Sequence, residues 1–146
     1  MQPVRFYLAG KLPTYYCSGT PAIGIGGGCI GRYVIEFGMG TDFHGQDVTK
    51  AAVKAVRDAI SRSCLCGLRE VLALEDLDRD VKVIVTVAAS RPEEVDLEAV
   101  AACLPVGEVT VQAVGGGLHV SGLYFPKFGD TDDSIEVAVA VVEVFV

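Results

Sequence analysis

The chain reads as an α+β protein: a two-layer sandwich in which a mixed or largely antiparallel sheet of about five to six strands carries two helices on one face. Three observations predict this. β-branched runs recur along the chain, at "RYVIEFGMG", "VKVIVTVAAS" and "SIEVAVAVVEVFV". Only "DVTKAAVKAVRDAISRS" shows a sustained helical period. The order of these runs, β, long loop, β, α, β, short α, β, β, places few helices against many strands.

Each element follows from its residues. "VRFYLAG" (4–10) is a short strand, and the glycine- and proline-punctuated residues 11–31 admit no helical period, so they form a loop. The strand at 32–40 leads to a helix over 47–63. Its apolar face is Val48, Ala52, Ala55, Val56, Ala59 and Ile60 at three- and four-residue steps, opposite Lys50, Lys54, Arg57 and Asp58. Asp47 stands where an N-cap accepts from free amides. After a stretch of undefined conformation, residues 81–90 form a strand and "DLEAVAACLP" a short helix capped by Asp96 and stopped by Pro105. "GEVTVQAVGGGLHVSG" is a strand bent by its glycine triplet, and residues 134–146 close the chain as a long strand. In that last strand Ile135, Val137, Val139, Val141 and Phe145 face one way, and Ala138, Ala140, Val142, Val144 and Val146 the other. Two helices cannot cover two apolar faces, so the open sheet face is expected to join subunits, as a homo-oligomer or with a related second chain.

Composition bounds the rest. At 146 residues the chain is expected to be one domain over 1–146, long enough to bury a core unaided. No apolar run reaches the roughly eighteen residues of a membrane span. The N-terminus lacks the apolar centre of a signal peptide, and five cysteines without a CxxC pair fit free thiols, so a cytoplasmic protein is expected. A net charge of -7 with no basic stripe argues against nucleic acid.

The polar residues crowd into "EFGMGTDFHGQD" (36–47). Gly38 and Gly40 permit unusual dihedrals or close approaches, here read as a sharp turn at the strand end. Asp42 and His44, two apart, leave an extended chain on one side, with Gly45 freeing the chain to enter the helix. Such a pair holds a divalent metal, zinc among them, or works as an acid–base pair, with Asp42 and His44 as catalytic groups. The plainer reading is a capped turn and a histidine bonded to a carbonyl. Gly38, Gly40, Gly45, Gln46 and Asp47 would line the substrate, helped by the positive end of the helix. Glu36 is a further catalytic candidate if buried near the motif. His119, in "GGGLHVSG", would complete a three-ligand metal set with Asp42 and His44 if the fold brings them together. Cys64 and Cys66 are more simply helix-end thiols, and Asp130 and Asp133 in "GDTDD" belong to a solvated turn or a cation site.

"GMGTDFHG" resembles the signature GxGxDxHG of the Lin-type conserved hypothetical family, and the following "HGQDVTKAAVKAVRDAI", the later "GEVTVQAVGGGL" and the acidic turn before the final strand are similar to it as well. The resemblance covers residues 32–146, leaving 1–31 as an extension. It marks Gly38, Gly40, Asp42, His44 and Gly45 and brings no settled activity. The order of elements is more distantly similar to one repeat of the ring-opening cyclic amide hydrolases and to the trimeric enamine and imine deaminases, without their motifs. The expectation is an oligomeric hydrolase of a carbon–nitrogen bond in a small molecule, a cyclic amide or imide, with the Asp/His motif as metal ligands or acid–base pair. The alternative is a non-catalytic subunit or small-metabolite binding module of a hetero-oligomer.

Overall fold

The computed structural model describes residues 5–6 and 31–146. The strand read over 4–10 survives there as β1, Arg5–Phe6, while the loop read over 11–31 falls outside the described residues except for Gly31. The remaining strands are β2 (Arg32–Asp42), β3 (Lys82–Ala89), β4 (Glu108–Gly115), β5 (Leu118–Ser121) and β6 (Ser134–Phe145). Helices are α1 (Val48–Ile60), α2 (Cys66–Glu70), α3 (Leu77–Asp80) and α4 (Leu97–Ala101), with single 3-10 turns at Pro92–Glu94 and Pro126–Phe128.

The α+β, two-layer class holds. The mixed sheet runs β1-β4-β3-β6-β2, with β5 also pairing β6. β3 and β4 are parallel, joined by the crossover that carries α4, and β6 is antiparallel to β2, β3 and β5. The stretch left undefined by sequence contains α2 and α3, each too short to show a period.

One sheet face supplies Val83, Val85, Val87, Val109, Val111, Ala138, Ala140, Val142 and Val144 to the core, and α1 lays Val48, Ala51, Ala52, Ala55, Val56 and Ala59 on it. Asp47 caps α1 by accepting from the Lys50 N–H at 2.9 Å, and Asp96 caps α4 through Glu98 and Ala99, as expected. The predicted apolar face of α1 lacked Ala51, and Ile60 lies at its margin.

The reading of Gly38 and Gly40 as a turn is corrected. β2 runs unbroken to Asp42, and neither glycine has a positive φ. Their missing side chains let α1 lie directly on the strand: a Cβ at Gly38 would stand 2.2 Å from the Ala55 carbonyl oxygen, and one at Gly40 2.1 Å from that of Ala51. Both glycines are buried under the helix and cannot line a substrate. The glycine triplet does not bend one strand but separates two. Gly117, at φ 70°, carries the chain from β4 across the end of β3 to pair with β6.

β2 is an edge strand, and α1 closes part of its edge. The Met39 N–H donates to Asp58 at 3.0 Å and the Thr41 carbonyl accepts from the Lys54 ammonium at 2.6 Å. The opposite sheet face is apolar and open where β2, β6 and β5 meet: Phe37 is 59% and Met39 60% exposed, beside Ile35, Val139, Leu118 and Val120. Among the described residues no helix is long and apolar enough to cross a membrane.

Candidate functional site

The motif leaves β2 at Asp42 and enters α1 at Val48, and in between it bonds to a segment more than eighty residues away. Gly45, at φ 90°, turns its N–H onto Asp130 Oδ1 at 2.8 Å, and the His44 ring presents Nδ1 to Asp130 Oδ2 at 3.0 Å. Asp130 Oδ2 also accepts from the Phe125 N–H at 2.7 Å. Asp130 is thus a buried carboxylate, 6% exposed, holding an imidazole in place, and not part of a solvated turn. Burial pushes its pKa up, but the N–H groups of Phe125 and Gly45 and the His44 ring outweigh that, leaving it below the usual carboxylate range. The His44 ring packs against Phe125 and Phe128, at 5.8 and 4.8 Å between centroids, and its side chain stays 37% exposed.

Gln46 latches the same loop. This buried residue, at φ 49°, accepts from the N–H and hydroxyl of Thr131 and donates to the Ser134 carbonyl at 3.0 Å. Its role is to build the site. Asp47 is committed to capping α1, with Lys50 3.7 Å from its carboxylate.

Asp42 and His44 do not form the expected pair. Asp42 is buried and accepts from the Asp47 N–H at 3.1 Å and from Lys54 at 3.4 Å, so it fixes the entry to α1, while His44 takes Asp130. Between Asp42 and Gly45 the chain leaves the extended form the two-residue spacing assumed, turning through a bend.

His119 meets a different carboxylate. Register sets Asp42, Glu136 and His119 side by side on β2, β6 and β5. Glu136, 1% exposed, lies between them and receives His119 Nδ1 at 2.8 Å and Arg91 Nη1 at 2.6 Å on one oxygen and the Ser90 hydroxyl on the other. Burial raises its pKa, but those three donors bring the net shift below the normal value. Arg91 also donates through Nη2 to the Gln46 carbonyl at 2.7 Å. One network therefore runs from His119 through Glu136, Arg91 and Gln46 to the loop that holds His44. Sequence reading passed over Glu136, Ser90 and Arg91. The available signal was a lone carboxylate on the buried face of an apolar strand, which needs a partner.

The three-ligand set of Asp42, His44 and His119 does not fit a metal as folded, since the two rings and Asp42 each engage separate partners. Among the described residues no three His, Cys, Asp or Glu side chains gather as a metal site. Glu36 lies on the helix-facing side of β2 but at the other end, six residues from Asp42 or roughly 20 Å along an extended strand, and so is not part of this network. Cys64 and Cys66 are exposed free thiols, Cys103 is half-buried, and Cys17 and Cys29 lie outside the described residues.

Comparison with known proteins fits this architecture. A family profile described as a conserved hypothetical protein family, Lin0512, matches residues 32–144. The chain belongs to this family. The chain is also similar to a protein of Nostoc punctiforme, whose crystal structure at 1.22 Å resolution is described as that of an FtsZ-like protein of unknown function. It is 40% identical to this chain, with a TM-score of 0.68, covering 80% of this chain and 96% of that one. No curated protein matches.

Proposed function

We infer that this Lin0512 chain is an oligomeric hydrolase that opens a carbon–nitrogen bond in a small cyclic amide or imide, using its two histidines as base and acid. The observation that carries the reading is the pair of imidazoles held through Nδ1 by two buried carboxylates, Asp130 and Glu136, and joined through Arg91. Both carboxylates have lowered pKa values, so at neutral pH they are ionised and can only accept. Each Nδ1 must then carry a proton, which leaves Nε2 of the neutral ring as a base.

Amide hydrolysis needs both roles. One imidazole takes a proton from water as its oxygen attacks the carbonyl, and a carboxylate behind the ring stabilises the imidazolium that forms. The carbon–nitrogen bond breaks readily when the nitrogen leaves in its neutral, protonated form, so a second group must deliver a proton to it. In a ring the products are one molecule, a carboxylate at one end and the freed nitrogen at the other, an amine from a simple cyclic amide and an amide or ureido group from an imide or cyclic ureide. His44, flanked by Phe125 and Phe128, suits the base beside an apolar ring; His119, when doubly protonated over the Glu136 carboxylate, suits the acid. The test is ring opening of hydantoin, dihydrouracil and succinimide by the purified protein, with and without added zinc. His44→Ala and His119→Ala are each expected to cut the rate at least about a hundredfold. Unchanged rates in both variants would remove the assignment.

The apolar patch of Ile35, Phe37, Met39, Val139, Leu118 and Val120 favours a second element of this reading, assembly through the open sheet face. It equally supports a non-catalytic subunit that pairs with a related chain. That reading gains if a second polypeptide copurifies and none of the three compounds is opened by the complex.

A further inference from the structure

A concavity lies at the opposite end of the sheet from the histidine network. It is a cavity of about 490 Å³ between the start of β2, the end of α1, α2 and the turn before β4. Its walls are apolar, with Val34, Ile60, Leu65, Leu77, Val142 and Val144 among them. Its size and lining match a small-molecule site, in which a mostly apolar wall carries a few polar groups that fix orientation.

The polar group that decides the ligand is Glu36. It is half-buried on the core side of β2, between Val34 and the helix-covered Gly38, and it lines the cavity. Its carboxylate accepts no hydrogen bond and forms no ion pair among the described residues. Arg62 exerts a charge on it, but the guanidinium itself is bonded to Asp58. The other charged residues at the wall are Arg69 and Glu70, both exposed, with Arg69 turned to the Glu75 carbonyl at 3.4 Å. Two carboxylates against one guanidinium leave the cavity negative. An unbonded carboxylate in an apolar wall is stabilised by a donor that brings positive charge.

We propose that this cavity binds a small apolar molecule bearing a protonated amine, with Glu36 as the anchor of the ammonium group and the valine and leucine wall around its hydrocarbon part. This site is separate from the histidine network and does not depend on what that network does.

The probe is octylamine, with octanol and octanoate as neutral and anionic counterparts of the same chain, titrated calorimetrically into the full-length protein at neutral pH. Octylamine is expected to bind saturably and at least about tenfold more tightly than octanol, the worth of one charge-assisted hydrogen bond, with octanoate weaker than both. Glu36→Gln removes the preference, bringing octylamine to the level of octanol. Ser63→Trp, at an exposed position of the wall, fills the mouth and weakens both. Thermal melts of each variant establish that it is folded. Equal octylamine binding by the native protein and Glu36→Gln, a preference for octanoate, or no saturable binding of octylamine would overturn the proposal.

Discussion

Replacing Gly40 by alanine isolates the contact on which the position of α1 depends. The added methyl would stand 2.1 Å from the Ala51 carbonyl oxygen and 2.3 Å from the Ala55 nitrogen. That is about 1.4 Å inside the roughly 3.5 Å at which non-bonded heavy atoms rest. Both opposing atoms are backbone, so no rotamer change relieves the overlap and the helix must lift. Overpacking a core costs about 1–3 kcal/mol, and a clash against rigid backbone belongs at the upper end, about 3 kcal/mol. For a domain of this size each kcal/mol moves the melting temperature by about 2–4 °C, so the variant should melt about 6–12 °C lower. The assay is thermal unfolding followed by far-ultraviolet circular dichroism. Gly115→Ala is the control, because a Cβ there meets nothing within 4 Å and its φ is not positive; it should stay within about 0.5 kcal/mol of the native protein. A Gly40→Ala melting point within a degree or two of the native value would refute the close-approach argument.

Other expectations follow from the same geometry. Gln46→Ala leaves the carbonyl of buried Ser134 and the Thr131 N–H without their partner and should cost about 1–3 kcal/mol in urea unfolding; a loss under 0.5 kcal/mol counts against the latch. Asp130 has a lowered folded pKa, so its stabilisation is fully present above the unfolded value near pH 4 and fades as pH falls through the folded one. The stability gap between native protein and Asp130→Asn should therefore be wide at pH 7 and narrow at pH 3, and a gap independent of pH would contradict the ionised, hydrogen-bonded carboxylate. Converting Phe37 and Met39 together to lysine should reduce the mass seen by light scattering to that of one chain if the open face joins subunits; retained assembly would place the interface elsewhere.

The sequence made some of this legible because the signal was local. The period of α1, the carboxylates at Asp47 and Asp96 and the two-residue alternation of β6 each report their own segment, and all appear in the fold. The glycines of β2 were misread because a missing side chain serves a turn and a close approach equally well. Which it serves depends on Ala51, Ala55 and Ala59, set against the strand only once the helix has folded back. The partner of His44 was hidden for a similar reason: Asp130 is far along the chain, and the acidic run around it looks the same whether solvated or buried. Glu36 and Asp42 both face the helix layer, as the alternation of β2 requires, but strand length separates them. His119 completes a ligand set with Asp42 and His44 only if the fold brings them together, and the β5–β6 register delivers it to Glu136 instead.

The central claim is that an ionised carboxylate holds each histidine through Nδ1, leaving Nε2 to take or to give the proton. Long-range proton–nitrogen NMR correlation of the two imidazoles, above their titration, reads this directly. The account predicts that both neutral rings carry the proton on Nδ1. Rings protonated on Nε2, the form ordinarily favoured in water, would contradict it.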